Sequence, residues 1–213
     1  MKSKDFFRPT IEMASARNRA THNHGIRIAR PTDAKAVLEI YSPYITDSAV
    51  SFEISVPSQS EFESRMTETL ARFPWLVLED EGQVVGYAYA SSHRSRCAYN
   101  WSVEASVYVS PDHRKKKIAS RLYTALFEIL KKQGVLNVYS GITLPNEASV
   151  SFHESMGFSS VGVYHKVGFK LEKWHDVGWW QLRLLECDTP SNVIPFYSIQ
   201  VEVELGLEGL DAG

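Results

Sequence analysis

One stretch constrains the possible folds of this chain more than any other: residues 99–134, which run as strand, basic turn and long helix. Read at alternate positions, Tyr99, Trp101, Val103, Ala105, Val107 and Val109 form an apolar face, and Asn100, Ser102, Glu104, Ser106 and Tyr108 form the other. A period of two marks a strand. Ser110, Pro111 and Asp112 end it, and His113, Arg114, Lys115, Lys116 and Lys117 lead straight into a helix. Ile118, Leu122, Ala125, Leu126, Ile129 and Leu130 keep the spacing of one buried helical face, and Gly134 stands where a left-handed cap stops it.

Cations at a helix start are unusual, because the unpaired amides there already present partial positive charge. An anionic guest such as a pyrophosphate reverses the argument, gaining from both the amides and the lysines. The plain alternative is a solvated basic turn. Glu104, on the polar face of the strand feeding the turn, favours a site, since a base beside an anion cradle is the makings of a reaction centre.

With 213 residues, 44% of them apolar, the chain can bury one good core and reads as a single domain with tails. A net charge of -2 argues against a general nucleic-acid binder. No apolar run approaches the roughly 20 residues that span a bilayer, and the charged N-terminus lacks a signal-peptide core. A cytoplasmic protein without membrane contact is expected. Cys97 and Cys187 are too few for a disulfide framework and read as reduced.

Residues 1–24 are polar and aperiodic and read as a flexible tail, with His22 and His24 as solvated rather than metal-binding. A short strand at 26–29 precedes a helix capped by Thr32 or Asp33 and carrying Ala36, Val37, Ile40 and Tyr41. The loop 46–56 holds Val50, Ser51 and Phe52, which either line a pocket or cover the core. Ser58 or Ser60 opens a second helix through residue 73, with Phe62, Met66 and Leu70 on one side. Strands at 75–78 and 84–89 flank the turn Asp80, Glu81, Gly82 and Gln83. The link His93, Arg94, Ser95, Arg96 places two guanidiniums just before the Glu104 strand, where they suit a planar carboxylate or simply make a basic surface loop.

After the central helix, 135–142 reads as a buried strand, Asn146 as the cap of a helix over 147–156, and Gly157 as its end. Strand, long helix and strand imply one parallel crossover in a mixed sheet. His153 is a candidate acid or base. Strands at 158–164 and 177–185 close the sheet, and Trp174, Trp179 and Trp180 read mostly as core. His175 and Asp176 show no metal-ligand spacing. Beyond Cys187, Tyr197, Ile199, Val201, Val203 and Leu205 alternate with polar residues, so 187–213 is either an added edge strand or an unpaired tail. No GxGxxG, GxxxxGK[ST], GxSxG or HExxH is present.

These residues resemble a known family. A strand, then R-x-x-x-x-[GA] at 114–119, then a long helix, looks like the acetyl-CoA-binding signature of the GNAT acyltransferase superfamily. The segments WSVEASVYV at 101–109, LPN at 144–146 and WHDVGWWQ at 174–181 are together similar to phosphinothricin N-acetyltransferases. The resemblance covers residues 25–186 and implies a single α/β GNAT domain, with a mixed, mostly antiparallel central sheet flanked by helices.

The resemblance also implies an activity: transfer of acetyl from acetyl-CoA to the amine of a small glutamate-like amino acid, by direct attack in a ternary complex and without a metal. The resemblance implies an acceptor such as phosphinothricin or methionine sulfoximine or sulfone, without fixing which. Glu104 is then the base, directly or through a water relay, with the amides near Val107, Tyr108 and Val109 stabilising the carbonyl oxygen. Tyr123 protonates the departing thiolate, and His153 orients substrate or assists. Arg114, Lys115, Lys116, Lys117, Ile118, Ala119, Ser120 and Asn146 hold the cofactor. Phe52, Arg94, Arg96, Tyr99, Ala105 and Ser106 shape the acceptor pocket. A second enzymatic reading is acetylation of another small amine, an ordinary amino acid or a polyamine, and the two guanidiniums disfavour a polyamine. A homodimer is implied too. The family has glycine where this chain has Lys115 and Lys117, and lysines are expected to need an ordinary backbone conformation. That expectation motivates the alternative of a non-catalytic acyl-CoA-binding module.

Overall fold

The computed structural model describes residues 25–210. Seven strands form one sheet in the order β1-β2-β3-β4-β5-β7-β6. They are β1 (Gly25–Ile28), β2 (Trp75–Asp80), β3 (Gln83–Ser92), β4 (Ser102–Val109), β5 (Asn137–Leu144), β6 (Ser159–Lys170) and β7 (Lys173–Arg183). All neighbours run antiparallel except β4 and β5. Their crossover is helix α3 (Ile118–Gln133), the long connection a parallel pair requires. Helices α1 (Ala34–Thr46) and α2 (Gln59–Leu70) pack with Trp75, Val77 and Tyr87 on one face. On the other, α3 packs with α4 (Glu147–Ser155) and α5 (Gln200–Leu210).

Local chemistry explains the boundaries. Ser58 caps α2 in a reciprocal box, its hydroxyl accepting from the Glu61 amide while Glu61 accepts from the Ser58 amide. Gly134 ends α3 at φ 85°, and Glu81 and Gly82 make the β2–β3 turn at φ 52° and 78°. Asp33 occupies the N-cap position of α1, yet its carboxylate is spent elsewhere, on the Arg27 guanidinium and the Arg30 amide.

Three expectations are corrected. Residues 97–99 form a 3-10 turn rather than the start of β4, and the Trp101 indole donates to the Ser191 carbonyl at 2.7 Å. The closing hairpin is longer than expected, because β6 and β7 run on to a two-residue turn at Leu171 and Glu172, both left-handed. That turn lacks the glycine or asparagine that announces a hairpin. Trp174 is consequently 59% exposed on the extension, while Trp180 is core.

The C-terminal segment is neither an edge strand nor a tail. Phe196, Ile199, Val203 and Leu207 follow a helical spacing and pack on the α3 face, whereas Tyr197 and Val201, which completed the alternating pattern, are exposed. Both periods coexist in this sequence, and burial against the core selects the helical one. Buried Gln133 fastens the segment by donating to the carbonyls of Arg72 and Ile194. The flexible-tail expectation for 1–24, with His22 and His24, lies outside the described residues. Cys97 and Cys187 are free and exposed. No helix among the described residues is long and apolar enough to cross a membrane.

Candidate active site

The sheet opens at one place. β4 and β5 pair only from Ser102↔Asn137 to Glu104↔Tyr139. Beyond that point β4 stays with β3 as far as Val109, and β5 stays with β7 as far as Leu144. The two parallel strands therefore part just past Glu104 and leave a wedge between them. The Ala105 carbonyl faces this wedge, for it accepts from the Tyr123 hydroxyl at 3.2 Å and from the Ser140 hydroxyl of β5 at 3.1 Å. Backbone edges alternate along a strand, so Val107 and Val109 turn their peptide groups the same way. The Ala105 methyl, expected in the acceptor pocket, is buried among the core, and only its backbone carbonyl faces the wedge. The Tyr108 ring likewise points away, into a cluster with Tyr41, Tyr44 and Tyr87.

The wedge runs out toward the start of α3. A 3-10 turn at Pro111–His113 leads into Arg114, Lys115, Lys116 and Lys117, and here the structure overturns an expectation. Lys115 and Lys117 sit at φ 63° and 60°, in the left-handed region that glycine would occupy without penalty. A side chain there costs about 1–2 kcal/mol, and strain of this kind gathers at ligand-binding loops. The loop keeps a glycine-like path while adding charge, which removes the motive for a non-catalytic module. Ser120 donates its hydroxyl to the Lys117 carbonyl at 2.8 Å, tightening the first turn behind the amides of Ile118, Ala119 and Ser120. A true glycine holds the helix start against the sheet: a β-carbon on Gly86 would lie 2.8 Å from Ile118 Cγ2. Arg114 is braced by Tyr44, donating to its hydroxyl at 3.3 Å, while that hydroxyl donates to the Val109 carbonyl at 2.8 Å. The Asn146 carboxamide oxygen accepts from the Ser149 amide and caps α4 at the end of β5.

Glu104 projects from the opposite face to Ala105 and is partly exposed. Its carboxylate lies 3.0 Å from His93 Nδ1 and 3.6 Å from Arg94 Nη1. The His93 ring stacks on Tyr139, the residue paired with Glu104, at 4.4 Å, and sets its edge against Tyr99 and Trp179. Arg94 lies 6.0 Å over Trp179. Arg94 and Tyr99 thus join the Glu104 cluster, whereas no ion pair joins Arg96, which is exposed, to the carboxylate. Ser106 shares the Glu104 face and sits opposite Tyr89 of β3. Phe52 comes from the α1–α2 loop and seats its ring on Gly168 of β6.

Beneath the wedge, Tyr123 and His153 are both buried, with the phenol oxygen 3.3 Å from Nε2. Burial pushes the Tyr123 phenol up and holds His153 below its ordinary range. The Ser149 carbonyl, 2.8 Å from Nδ1, can only accept, so Nδ1 carries the proton and the Nε2 lone pair shares the one Tyr123 hydroxyl proton with the Ala105 carbonyl. Among the described residues no group of three or more histidine, cysteine or carboxylate side chains could hold a metal ion.

Several participants were missed from sequence. Tyr139 becomes visible only when the β4–β5 register is known. Trp179 read as core because aromatic density carries no direction, and Tyr44 had no motif at all.

A parallel pair that splays beside a carboxylate, with an anion-receptive helix start at its mouth, defines an acyl-CoA-dependent transferase fold, and comparison with known proteins agrees. The acetyltransferase (GNAT) domain family matches residues 26–179. The phosphinothricin N-acetyltransferase of Streptomyces viridochromogenes is 41% identical over 156 residues, which cover 73% of this chain and 85% of that protein. The L-methionine sulfoximine/L-methionine sulfone acetyltransferase of Salmonella typhimurium is 32% identical, covering 78% of this chain and 98% of that one. The crystal structure of a GNAT superfamily phosphinothricin acetyltransferase from Sinorhizobium meliloti, in complex with acetyl-CoA, superposes with a TM-score of 0.77 at 31% identity, covering 82% and 97% of the two chains. The chain belongs to the GNAT acetyltransferase family.

Proposed function

We propose that this protein transfers an acetyl group from acetyl-CoA to the amino group of a small glutamate-like amino acid, of the phosphinothricin or methionine sulfoximine and sulfone type. The observation that carries the reading is the position of Glu104, the last β4 residue paired with β5 before the strands part. The α3 amides with Arg114, Lys115, Lys116 and Lys117 suit the phosphates of acetyl-CoA, and Asn146 lies at the rim of the same wedge. Bound there, acetyl-CoA supplies an acetyl group activated as a thioester.

Glu104 removes the proton of the acceptor ammonium, directly or through a water, freeing the nitrogen lone pair to attack. The Val107 and Val109 amides receive the negative charge that develops on the carbonyl oxygen. Tyr123, kept protonated by burial, gives its proton to the leaving thiolate and regains one from solvent as the thiol departs, while neutral His153, unprotonated at Nε2, orients the phenol. Arg94 binds the acceptor carboxylate, with Arg96, Tyr99, Ser106 and Phe52 around it.

The test is thiol release from acetyl-CoA across a panel of amino acids and amines. Acceptor-dependent release that is greatest with a glutamate-like acceptor supports the reading; release with none of the amino acids contradicts it. A homodimer forms part of the same proposal. Exposed Val163, Phe169 and Trp174 share one face of β6 and β7 and give it an apolar patch that supports it, and sedimentation as a monomer at micromolar concentration would argue against it.

A further inference from the structure

The tip of the β6–β7 hairpin reaches across the molecule to the loop joining α1 to α2. Lys170, the last residue of β6, is 6% exposed and is the only buried lysine, arginine or carboxylate side chain among the described residues. Its ammonium donates to the Ser51 carbonyl at 2.6 Å. No ion pair joins it to a carboxylate among the described residues, and Glu53 acts on it only at longer range. Two residues earlier, Gly168 lies directly under Phe52, so that a β-carbon there would drive into the ring. His175 of β7 approaches the same ring at 6.2 Å and bonds the Lys170 carbonyl through Nε2 at 2.9 Å.

The loop is held from its other side too. The Ser51 hydroxyl bonds Tyr41 of α1 at 2.7 Å and accepts from the Glu53 amide. Glu53 in turn takes hydrogen bonds from Arg65 of α2 and from Tyr41. Three consecutive residues, Ser51, Phe52 and Glu53, are thus fastened to the hairpin, α1 and α2 at once.

A buried ammonium without a paired carboxylate is an expensive way to fill space, and an apolar side chain of similar volume would do so more cheaply. What the ammonium gives in return is a fixed position for one backbone carbonyl, and with it the Phe52 ring. We propose that Lys170 and Gly168 are positioning residues, latching this loop over the acceptor crevice so that Phe52 limits the size of the acceptor side chain. The proposal rests on the acetyl-transfer reading given above.

The experiment compares Lys170→Met and Gly168→Ala with the wild type, using L-methionine sulfone and the bulkier L-phenylalanine as acceptors. The KM for L-methionine sulfone is expected to rise about tenfold in either variant, with the KM for acetyl-CoA within about twofold of wild type and selectivity against L-phenylalanine reduced. A folded variant in which the acceptor KM is unmoved, or in which both KM values rise together, overturns the latch. Should the wild type acetylate neither acceptor, the acetyl-transfer reading is what fails for them, and amide hydrogen exchange then decides the latch. Faster exchange at residues 51–53 in Lys170→Met, with α4 unchanged, supports it; unchanged exchange there overturns it.

Discussion

On the α3 side of the wedge the groups on offer are mainly backbone ones: the amides of Val107 and Val109 and the first turn of α3, entered through two left-handed lysines. On the Glu104 side they are side chains, with His93, Arg94, Tyr99, Tyr139 and Trp179 gathered around one carboxylate. Backbone recognition needs a path through space and is tolerant of residue type. Lys115 and Lys117 follow that path although a glycine would follow it with less strain. Side-chain recognition depends on identity, so a single replacement near Glu104 should matter more than one in the loop.

This contrast can be broken by substitutions taken in order of size. Glu104→Gln replaces the proposed base but keeps the shape, and turnover is expected to fall by about 10²–10⁴, while acetyl-CoA still raises the melting temperature as in wild type. A lost thermal shift would show that the two sides are not separable. Tyr123→Phe removes the proposed proton donor to the thiolate. A fall of roughly 10²-fold in kcat is expected, with both KM values nearly unchanged in steady-state assays. An unchanged kcat would assign thiolate protonation to solvent.

Replacing Lys115 and Lys117 together by glycine should change least. Relief of the left-handed strain, set against the greater freedom of glycine in the unfolded chain, is expected to stabilise the fold by up to about 1 kcal/mol. Lost charge raises the KM for acetyl-CoA a few-fold at low salt and less at high salt, as denaturant melts and a salt series would show. A loss of acetyl-CoA binding of 100-fold or more would mean that the lysine side chains, not the backbone path, make the site.

His153 adds a pH dependence of known sign. Burial lowers its folded-state pKa below the ordinary value near 6.5, so the unfolded chain takes up a proton first as pH falls. Its contribution to stability is therefore complete above about pH 6.5 and is lost as pH falls from there toward the lower folded-state value. His153→Gln should flatten the stability curve over that window in melts from pH 7.5 to 5.

Much of this architecture was legible in the sequence because local signals agreed with tertiary packing. Gly134, the Ser58 cap, Asn146 and the period-two face of β4 each carry their own chemistry, and the carboxylate followed from its place on that strand. Other features needed three dimensions. The left-handed lysines have no local signal, since their residue type argues against the conformation they adopt. The long hairpin hides behind a turn of leucine and glutamate, and α5 behind a pattern that fits two periods. Arg94 and Arg96 look alike in sequence, and the path of their link alone brings one of them to Glu104.

The central claim is geometric: acetyl donor and acceptor amine meet where β4 and β5 part, on the side that Glu104 faces. The crystal structure of a ternary complex of Glu104→Gln with acetyl-CoA and L-methionine sulfone tests it most directly. The account predicts the acetyl group beside the Val107 amide, with the acceptor nitrogen on the face carrying residue 104. An acetyl group lying outside the wedge, or an acceptor nitrogen on the α3 face, would contradict it.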